Sequence, residues 1–517
     1  MASPMRNDSA HTHAVVAAFL ARRAARAEGM VDSPSEERGE GIVDPAAPRR
    51  IMTRDEAVAL VQFVREVINR PTENLQISHR ATAVALRTPD AFPRCMDVDE
   101  FQLRWVVRLG HLTWAEGLVG VATDVRDLDT LRHVLLHAVR PLPDPPPSPE
   151  ELEDRAAWEK MFTPHPLTYL PLTTWHANTA AAAETQRGAM LARLLAPLEG
   201  TPWRGAGTVV VSQVGYCAVN HAMRVTQWGE STDSEISLTA HSADGATSGW
   251  SGHAHRDWDK LEPERVAREA LAAATQQLHA VRAEPGRYTA ILSATAVGQL
   301  LQRMAELFDV RSASPFSVRG QMATDRGHRG ERLFDPRITL TTDPTDPEGG
   351  DFPFFPEGAP FPSGKVTWVE NGVLKRRSVN LDSAFTLGMT PVREPQCIRM
   401  SGGPTSVDEM IAQCERGIYV HRFATIRMVD LWSGTMEGFT RDGCLLIQNG
   451  KITHPVTDFR FYESPFLSFN RVMALGTPRR VAFGFTLRDG EQWPHAPVVA
   501  PPLMVRDFNF SALADNA

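Results

Sequence analysis

Two Asn-Gly dipeptides, each set between apolar runs, constrain this chain more than any other local signal. Asn371-Gly372 lies within VTWVENGVLKRRSV, and Asn449-Gly450 lies within CLLIQNGKITHPV. A type I′ turn needs positive φ at both central residues, which Asn tolerates and Gly adopts freely. Each dipeptide therefore predicts a two-residue β-hairpin. With 288–292, a buried strand by composition, they make the C-terminal half β-rich.

The N-terminal half is mixed. Thr53-Arg-Asp-Glu56 is a capping box, and the helix after it puts Ala57, Leu60, Val61, Val64 and Ile68 on one face. Extended stretches are expected over 74–86 and 101–109, and an amphipathic helix over 127–139. Three strands are expected over 208–214, 221–228 and 236–241, with Asp244-Gly245 as a hairpin signal. A helix is expected from Pro263 to about His279. Residues 141–149 carry six prolines and read as a spacer, after which Ser148-Pro-Glu-Glu151 opens a further helix. No repeat of solenoid period is present. The fold class is α+β.

Composition removes several function classes. The 517 residues include 54 Lys+Arg against 62 Asp+Glu, a net charge of −8, which argues against nucleic acid as the main partner. No apolar run approaches the roughly 18 residues that a membrane helix needs. The apolar run at 14–20 is short and its arginines follow it, so it is a poor signal peptide, and a cytoplasmic location is expected. The five cysteines (Cys95, Cys217, Cys397, Cys414, Cys444) form no close pairs, as neither a disulfide framework nor a cysteine zinc site would have it.

Standard catalytic signatures are missing. Gly249-Trp-Ser251-Gly252 lacks the last glycine of a nucleophile elbow, and no phosphate-binding loop or His-Glu-x-x-His occurs. His133 and His137 share a helical face, but it is the face opposite Leu128, Leu131 and Leu135, beside Arg126 and Arg140, so solvated side chains are expected there. His253-Ala-His255 could point one way from a strand, next to the competing Arg256.

A series of C-terminal landmarks carries more information. In order they are YTAILS (288–293), Ser314-Pro-Phe316, Glu357-Gly358, VTWVENGVLK (366–375), RMSGGPTSVDEMI (399–411), RGIYV (416–420), TRDGCLLIQNGKITHPV (440–456), FRFYESPF (459–466) and PPLMVRDFNFS (501–511). Together they resemble the TldD/PmbA family of metallopeptidases over about 205–517, with fainter echoes at 73–86 and 123–131. The resemblance implies a two-domain α+β fold: an N-terminal tail (1–50), a mixed α/β domain (51–282) and a β-rich domain (283–517).

In that family the catalytic subunit carries His-Glu-x-x-x-His on the helix before the Ser-x-Phe landmark, and a later cysteine. Zinc held by two imidazoles and a thiolate keeps an open position for water, with the glutamate as general base. Here the helix reads AVGQLLQRMAELF. The motif becomes Gln302-Arg303-Met-Ala-Glu-Leu307, and the cysteine stretch falls near 486–492 (TLRDGEQ), which holds no cysteine. An arginine cannot replace the base. The chain thus resembles the TldE/PmbA-type subunit, with no metal of its own. The resemblance implies zinc in a TldD-like partner subunit, a heterodimer, and an unstructured peptide substrate, as in maturation of peptide natural products. Nine polar or aromatic residues are candidates for the cleft or interface: His421, Arg422, Arg427, Trp432, Thr440, Arg441, Asp442, Arg460 and Glu463. Arg460 and Glu463 could instead form a structural ion pair. Two other readings stand beside this one. One is a stand-alone enzyme with relocated ligands such as His253, His255, His421 or His454; the other is a homodimeric peptide-binding protein without hydrolysis.

Overall fold

The computed structural model describes residues 9–29, 50–68, 72–89, 92–107, 118–123, 125–138, 174–220, 225–310, 332–350, 352, 354, 363–380, 383–384, 387, 389–484 and 496–514. Ser314-Pro-Phe316, Glu357-Gly358, the 141–149 spacer, the helix start at Ser148 and the 486–492 stretch lie outside the described residues.

The N-terminal part is built on one antiparallel sheet of six strands, ordered β3-β2-β1-β4-β5-β6. They are β1 (Thr72–Arg87), β2 (Arg94–Val107), β3 (Leu118–Thr123), β4 (Arg204–Asn220), β5 (Val225–His241) and β6 (Ser248–His255). Where the sequence suggests three short strands, β4 and β5 each run 17 residues and pair from Arg204↔His241 to Asn220↔Val225. The ladder continues through polar residues because they find partners. Gln213, for example, donates to Ala180 O at 2.9 Å and accepts from Arg50 N at 2.8 Å.

One face of this sheet carries two groups of helices. Leu75, Ile77, Cys217 and Val219 pack beneath α1 (Ser9–Gly29), α2 (Arg54–Ile68) and α3 (Leu128–Ala138). Ten residues further along β1, Ala85 shares its face with Leu75. There it meets Val209, Val211 and Ile236 beneath α5 (Glu184–Leu195) and α6 (Pro263–Gln276), with the one-turn α4 (Ala177–Ala180) nearby. Gly249 lets α6 lie directly on β6, since a Cβ there would sit 2.0 Å from Ala274 N. The capping box forms as expected, with Thr53 N–Glu56 Oε2 at 2.8 Å and Glu56 N–Thr53 Oγ1 at 3.2 Å.

Residues 9–29 depart from the expected tail. Val16, Phe19 and Leu20 make an apolar stripe that is buried against α2 and the sheet. Arg23 fastens α1 from the same side, pairing with Asp99 at 2.8 Å and donating to Val125 O at 2.9 Å. Asp99 also meets the fully buried His79 at 3.0 Å, whose other ring nitrogen accepts from Met52 N at 2.9 Å.

The C-terminal part begins with β7 (Gly286–Leu292) and α7 (Ala294–Met304), followed by β8 (Leu340–Thr342), β9 (Val366–Glu370), β10 (Val373–Leu374) and β11 (Arg399–Met400). Then come α8 (Val407–Ala412), β12 (Arg416–Asp430), β13 (Thr435–Gln448), β14 (Lys451–Pro455) and β15 (Phe459–Glu463). α9 (Pro465–Ser468), β16 (Val472–Leu475), β17 (Arg479–Arg480), β18 (Val499–Ala500) and β19 (Leu503–Leu513) complete the order. Both Asn-Gly hairpins form, β9–β10 and β13–β14. Their turn residues have φ of 49° and 79°, and of 50° and 76°.

β12, β7, β19, β15 and β13 pair in that order, and β13 returns to pair with β12, so five strands close on themselves. Phe423, Phe461, Phe508 and Phe510 fill the interior, with Phe423 and Phe461 centroids 4.5 Å apart. The strands bend at bulges, where Thr425, Asp442 and Asp507 take positive φ. A small second sheet, β10-β9-β8-β11-β18-β17, shares the core through α7. We predict that Phe461→Ala lowers stability by about 3–5 kcal/mol, read as a fall in the denaturant midpoint.

Candidate functional site

The helix expected to hold a metal motif is an anchor here. Ser293 caps α7, its hydroxyl accepting from Ala296 N at 3.2 Å and donating to His421 O. Gln299 closes a gap in the β12 ladder, donating to Phe423 O and accepting from Phe423 N, both at 2.8 Å. Leu307, in the place of the second imidazole, is fully buried in the main core. Arg303, in the place of the base, is exposed, and Gln302 is half-buried. An aliphatic side chain in the core and a permanent cation do not fit a zinc ion.

Among the described residues no three His, Cys, Asp or Glu side chains converge on a metal-sized site. His253 faces Glu262 at 3.8 Å, His255 Nδ1 accepts from Asp257 N at 2.9 Å, and His454 is exposed on β14. His133 and His137 are solvent-facing as expected, with His137 Nδ1 3.0 Å from His133 O.

The nine candidates divide into two groups. His421, Arg422, Thr440, Arg441 and Asp442 lie on β12 and β13. Asp442 is buried at positive φ and joins the two halves of the molecule. It accepts from Ser248 Oγ of β6 at 2.5 Å and from Arg422 Nε at 2.5 Å, while the Arg422 guanidinium stacks 4.8 Å from the Trp250 ring. Burial pushes the Asp442 carboxyl up, but Arg422 and the Ser248 bond outweigh it and hold the group below the usual range. His421 packs edge-on to Trp250 at 6.3 Å. Burial lowers its pKa, against the pull of Asp442 and a bond to the Trp250 backbone, so a neutral ring is favoured. Thr440 Oγ1 donates to Asp458 and accepts from Phe459 N, both at 2.9 Å, and burial pushes Asp458 up to about 6. Arg441 is exposed. Apart from Arg441, the cluster is a buried polar junction whose groups satisfy one another.

The second group lies further along the barrel. Arg427 and Arg460 both pair with Glu437 on the outer surface, and Trp432 stands in the β12–β13 turn. The Arg460–Glu463 pair does not form. Glu463 points inward, accepting from Ser464 N at 2.9 Å and Asn509 N at 3.1 Å, which ties β15 to β19.

A second junction was not legible in the sequence. Asp233 and Glu235, alternate residues of β5, hold the segment 480–484. Arg480 pairs with Asp233 at 2.5 Å, and Glu235 accepts from Gly484 N at 2.6 Å and Phe483 N at 3.3 Å. Burial pushes Glu235 up to about 8, against those two bonds. The only hint was two acids inside an otherwise buried strand. Trp250 and Ser248 were missed for a similar reason: they sit in a string that matched no catalytic pattern.

A family model for the PmbA/TldA metallopeptidase C-terminal domain matches residues 285–512. Residues 285–512 thus carry a domain of the PmbA/TldA C-terminal type. Three crystal structures share its fold. A candidate DNA gyrase modulator from Thermotoga maritima is 18% identical with a TM-score of 0.65, covering 84% of this chain and 95% of its own. A second candidate gyrase modulator, from Bacteroides thetaiotaomicron, is 16% identical at 0.66, covering 88% and 99%. TldE from Thermococcus kodakarensis is 13% identical at 0.67, also covering 88% and 99%. No curated protein sequence matches. The matched C-terminal domain is similar to that of metallopeptidases, while α7 within it carries no His, Cys, Asp or Glu. Among the described residues no helix is long and apolar enough to cross a membrane.

The two junctions titrate in opposite senses. Glu235 has a folded pKa above its unfolded value, so its contribution is present at low pH and is lost as pH rises towards about 8. We predict that Glu235→Gln removes a stability loss of roughly 3 kcal/mol between pH 5 and 8, read from melting temperature against pH. Asp442 has a depressed pKa, and its contribution disappears as pH falls through the acid range. Asp442→Asn leaves Arg422 without its carboxylate and should cost about 3–5 kcal/mol at pH 7, shrinking as pH falls.

Proposed function

We propose that this chain is the non-metal, TldE-like subunit of a TldD/TldE-type peptidase. Zinc and the catalytic glutamate reside in a partner subunit, and the substrate is an unstructured peptide. The observation that carries the reading is the fate of α7. The helix is capped by Ser293 and tethered to β12 by Gln299, while Leu307 just beyond it occupies the core and Arg303 the solvent at positions where the resemblance puts ligand and base. A helix preserved as scaffold after losing its chemistry suits a subunit that supplies shape and binding surface to an active site held elsewhere. The mild excess of acid, −8 overall, accords with a peptide rather than a nucleic acid as substrate. Maturation of peptide natural products in the cytoplasm is the setting we propose, because a leader segment is an unstructured peptide of the kind such a cleft admits.

The test is reconstitution with a His-Glu-x-x-x-His-bearing relative from the same genome. Cleavage of an unstructured peptide should appear when both chains are present and be absent with this chain alone. Elemental analysis of this chain grown in metal-rich medium should find less than about 0.2 metal per molecule, against the full occupancy of a closed site. Cleavage by the chain alone, or stoichiometric bound zinc, would overturn the reading in favour of a stand-alone enzyme.

A further inference from the structure

A pair of histidines on α3 stands apart from the position of the family's metal motif on α7. His133 and His137 are both exposed, and their ring centroids are 3.8 Å apart with the planes inclined by 37°. A spacing of four residues sets side chains one above the other on a helix. The helix beneath them is fixed. Leu131 and Leu135 are fully buried against α1 and α2. Asp127 caps the first turn, accepting from Thr130 N and from Thr130 Oγ1, both at 2.7 Å. The two rings are therefore already gathered, and little conformational entropy remains to be lost when a ligand joins them.

The hydrogen bonding fixes which nitrogen of His137 is free. Its Nδ1 lies 3.0 Å from His133 O, and a carbonyl oxygen can only accept, so Nδ1 carries the proton. In the neutral ring Nε2 then holds the lone pair. A metal-ligating imidazole has this arrangement: it donates its other N–H to a carbonyl or carboxylate, which sets the tautomer and the ring orientation. An ion bound at about 2.0–2.1 Å by two nitrogens needs them about 3 Å apart. Rings at 3.8 Å reach that through small rotations of two exposed side chains.

The surrounding charge admits a cation. Asp129 lies one further turn back on the same row and is exposed. Arg126 precedes the helix, Arg132 lays its guanidinium over the Phe63 ring at 6.0 Å, and Arg140 lies outside the described residues. Among the described residues no third His, Cys, Asp or Glu closes the site. Two imidazoles without a thiolate select late first-row ions. Copper(II) binds most tightly, ahead of nickel(II) and zinc(II), while magnesium and calcium prefer oxygen ligands.

We propose that His133 and His137 form a two-imidazole surface site for a divalent late transition-metal ion, copper(II) foremost, with water in the remaining positions. The site is open, so it gives up its ion to a chelator or on desalting. That separates it from a closed three-ligand zinc site, and it stands or falls independently of the peptidase reading.

The probe is copper(II) alone, titrated into the untagged, chelator-treated full chain by calorimetry, with electron paramagnetic resonance of the bound ion. Wild type should bind one equivalent in its strongest class and show nitrogen couplings from two imidazoles. His133→Ala and His137→Ala should each weaken that class by about tenfold or more. The control H253A/H255A should leave it unchanged, and magnesium should not compete. Without metal, melting temperatures of the α3 variants should match wild type, because both side chains are solvent-exposed. A strongest class that is unchanged in H133A/H137A, or that is lost in H253A/H255A instead, would overturn the proposal. So would saturation of wild type only above about 1 mM copper(II).

Discussion

Closure of the five-stranded barrel is the constraint on which the rest of the C-terminal structure depends. β13 can return to β12 only because the strands bend at bulges, where Thr425, Asp442 and Asp507 accept positive φ. The interior is then filled by phenylalanines, whose centroids lie 4.5–6.0 Å apart. Each bulge leaves backbone groups outside the ladder, and these are put to use. Gln299 of α7 satisfies both backbone groups of Phe423, which fixes the helix against the barrel. The bulge at Asp442 turns its carboxylate to Ser248 and Arg422.

The two halves of the molecule meet through buried polar groups as well as through apolar contacts, of Trp250 and Ala254 with Ala482 and of Val214 and Ala218 with Phe352 and Phe354. The polar groups are costly unless satisfied. Asp442 is satisfied by a hydroxyl and a guanidinium, and remains ionised. Glu235 has two backbone N–H groups, and burial raises its pKa even so. The second junction gains stability as pH falls from about 8 towards the ordinary glutamate range, and the first loses it only at more acid pH, so the two act in separate windows. The relative placement of the domains is therefore specified by geometry that few alternative packings can satisfy.

Local signals in the sequence were legible where one interaction decides the backbone. Asn371-Gly372 and Asn449-Gly450 form the hairpins expected of them, and Thr53 and Glu56 form their capping box. The stripe Val297, Leu300, Leu301, Met304 and Leu307 is buried as its spacing implies. The length of β4 and β5 was not legible, since polar residues within a strand resemble a break until their partners are known. Residues 9–29 read as tail together with the Pro-, Gly- and acid-rich 31–50 that follows them, because the partner of their apolar stripe is not local. Arg23 likewise reaches Asp99, 76 residues away. Glu463 was a candidate for the cleft or for an ion pair with Arg460, yet it turns inward to two backbone N–H groups that no local pattern reveals.

By itself the sequence determined the C-terminal landmarks, the α+β class and the absence of an imidazole or carboxylate at Gln302, Arg303 and Leu307, because these are matters of residue identity and local pattern. Only the tertiary structure decided how the nine candidate residues divide. His421, Arg422 and Asp442 belong to a buried junction between the domains, while Arg427, Trp432 and Arg460 belong to the outer face of the barrel. They come from β12, β13, the turn between them and β15, which are neighbours in one barrel. What separates them is strand direction and bulge position, and these are set by contacts between residues far apart in the chain.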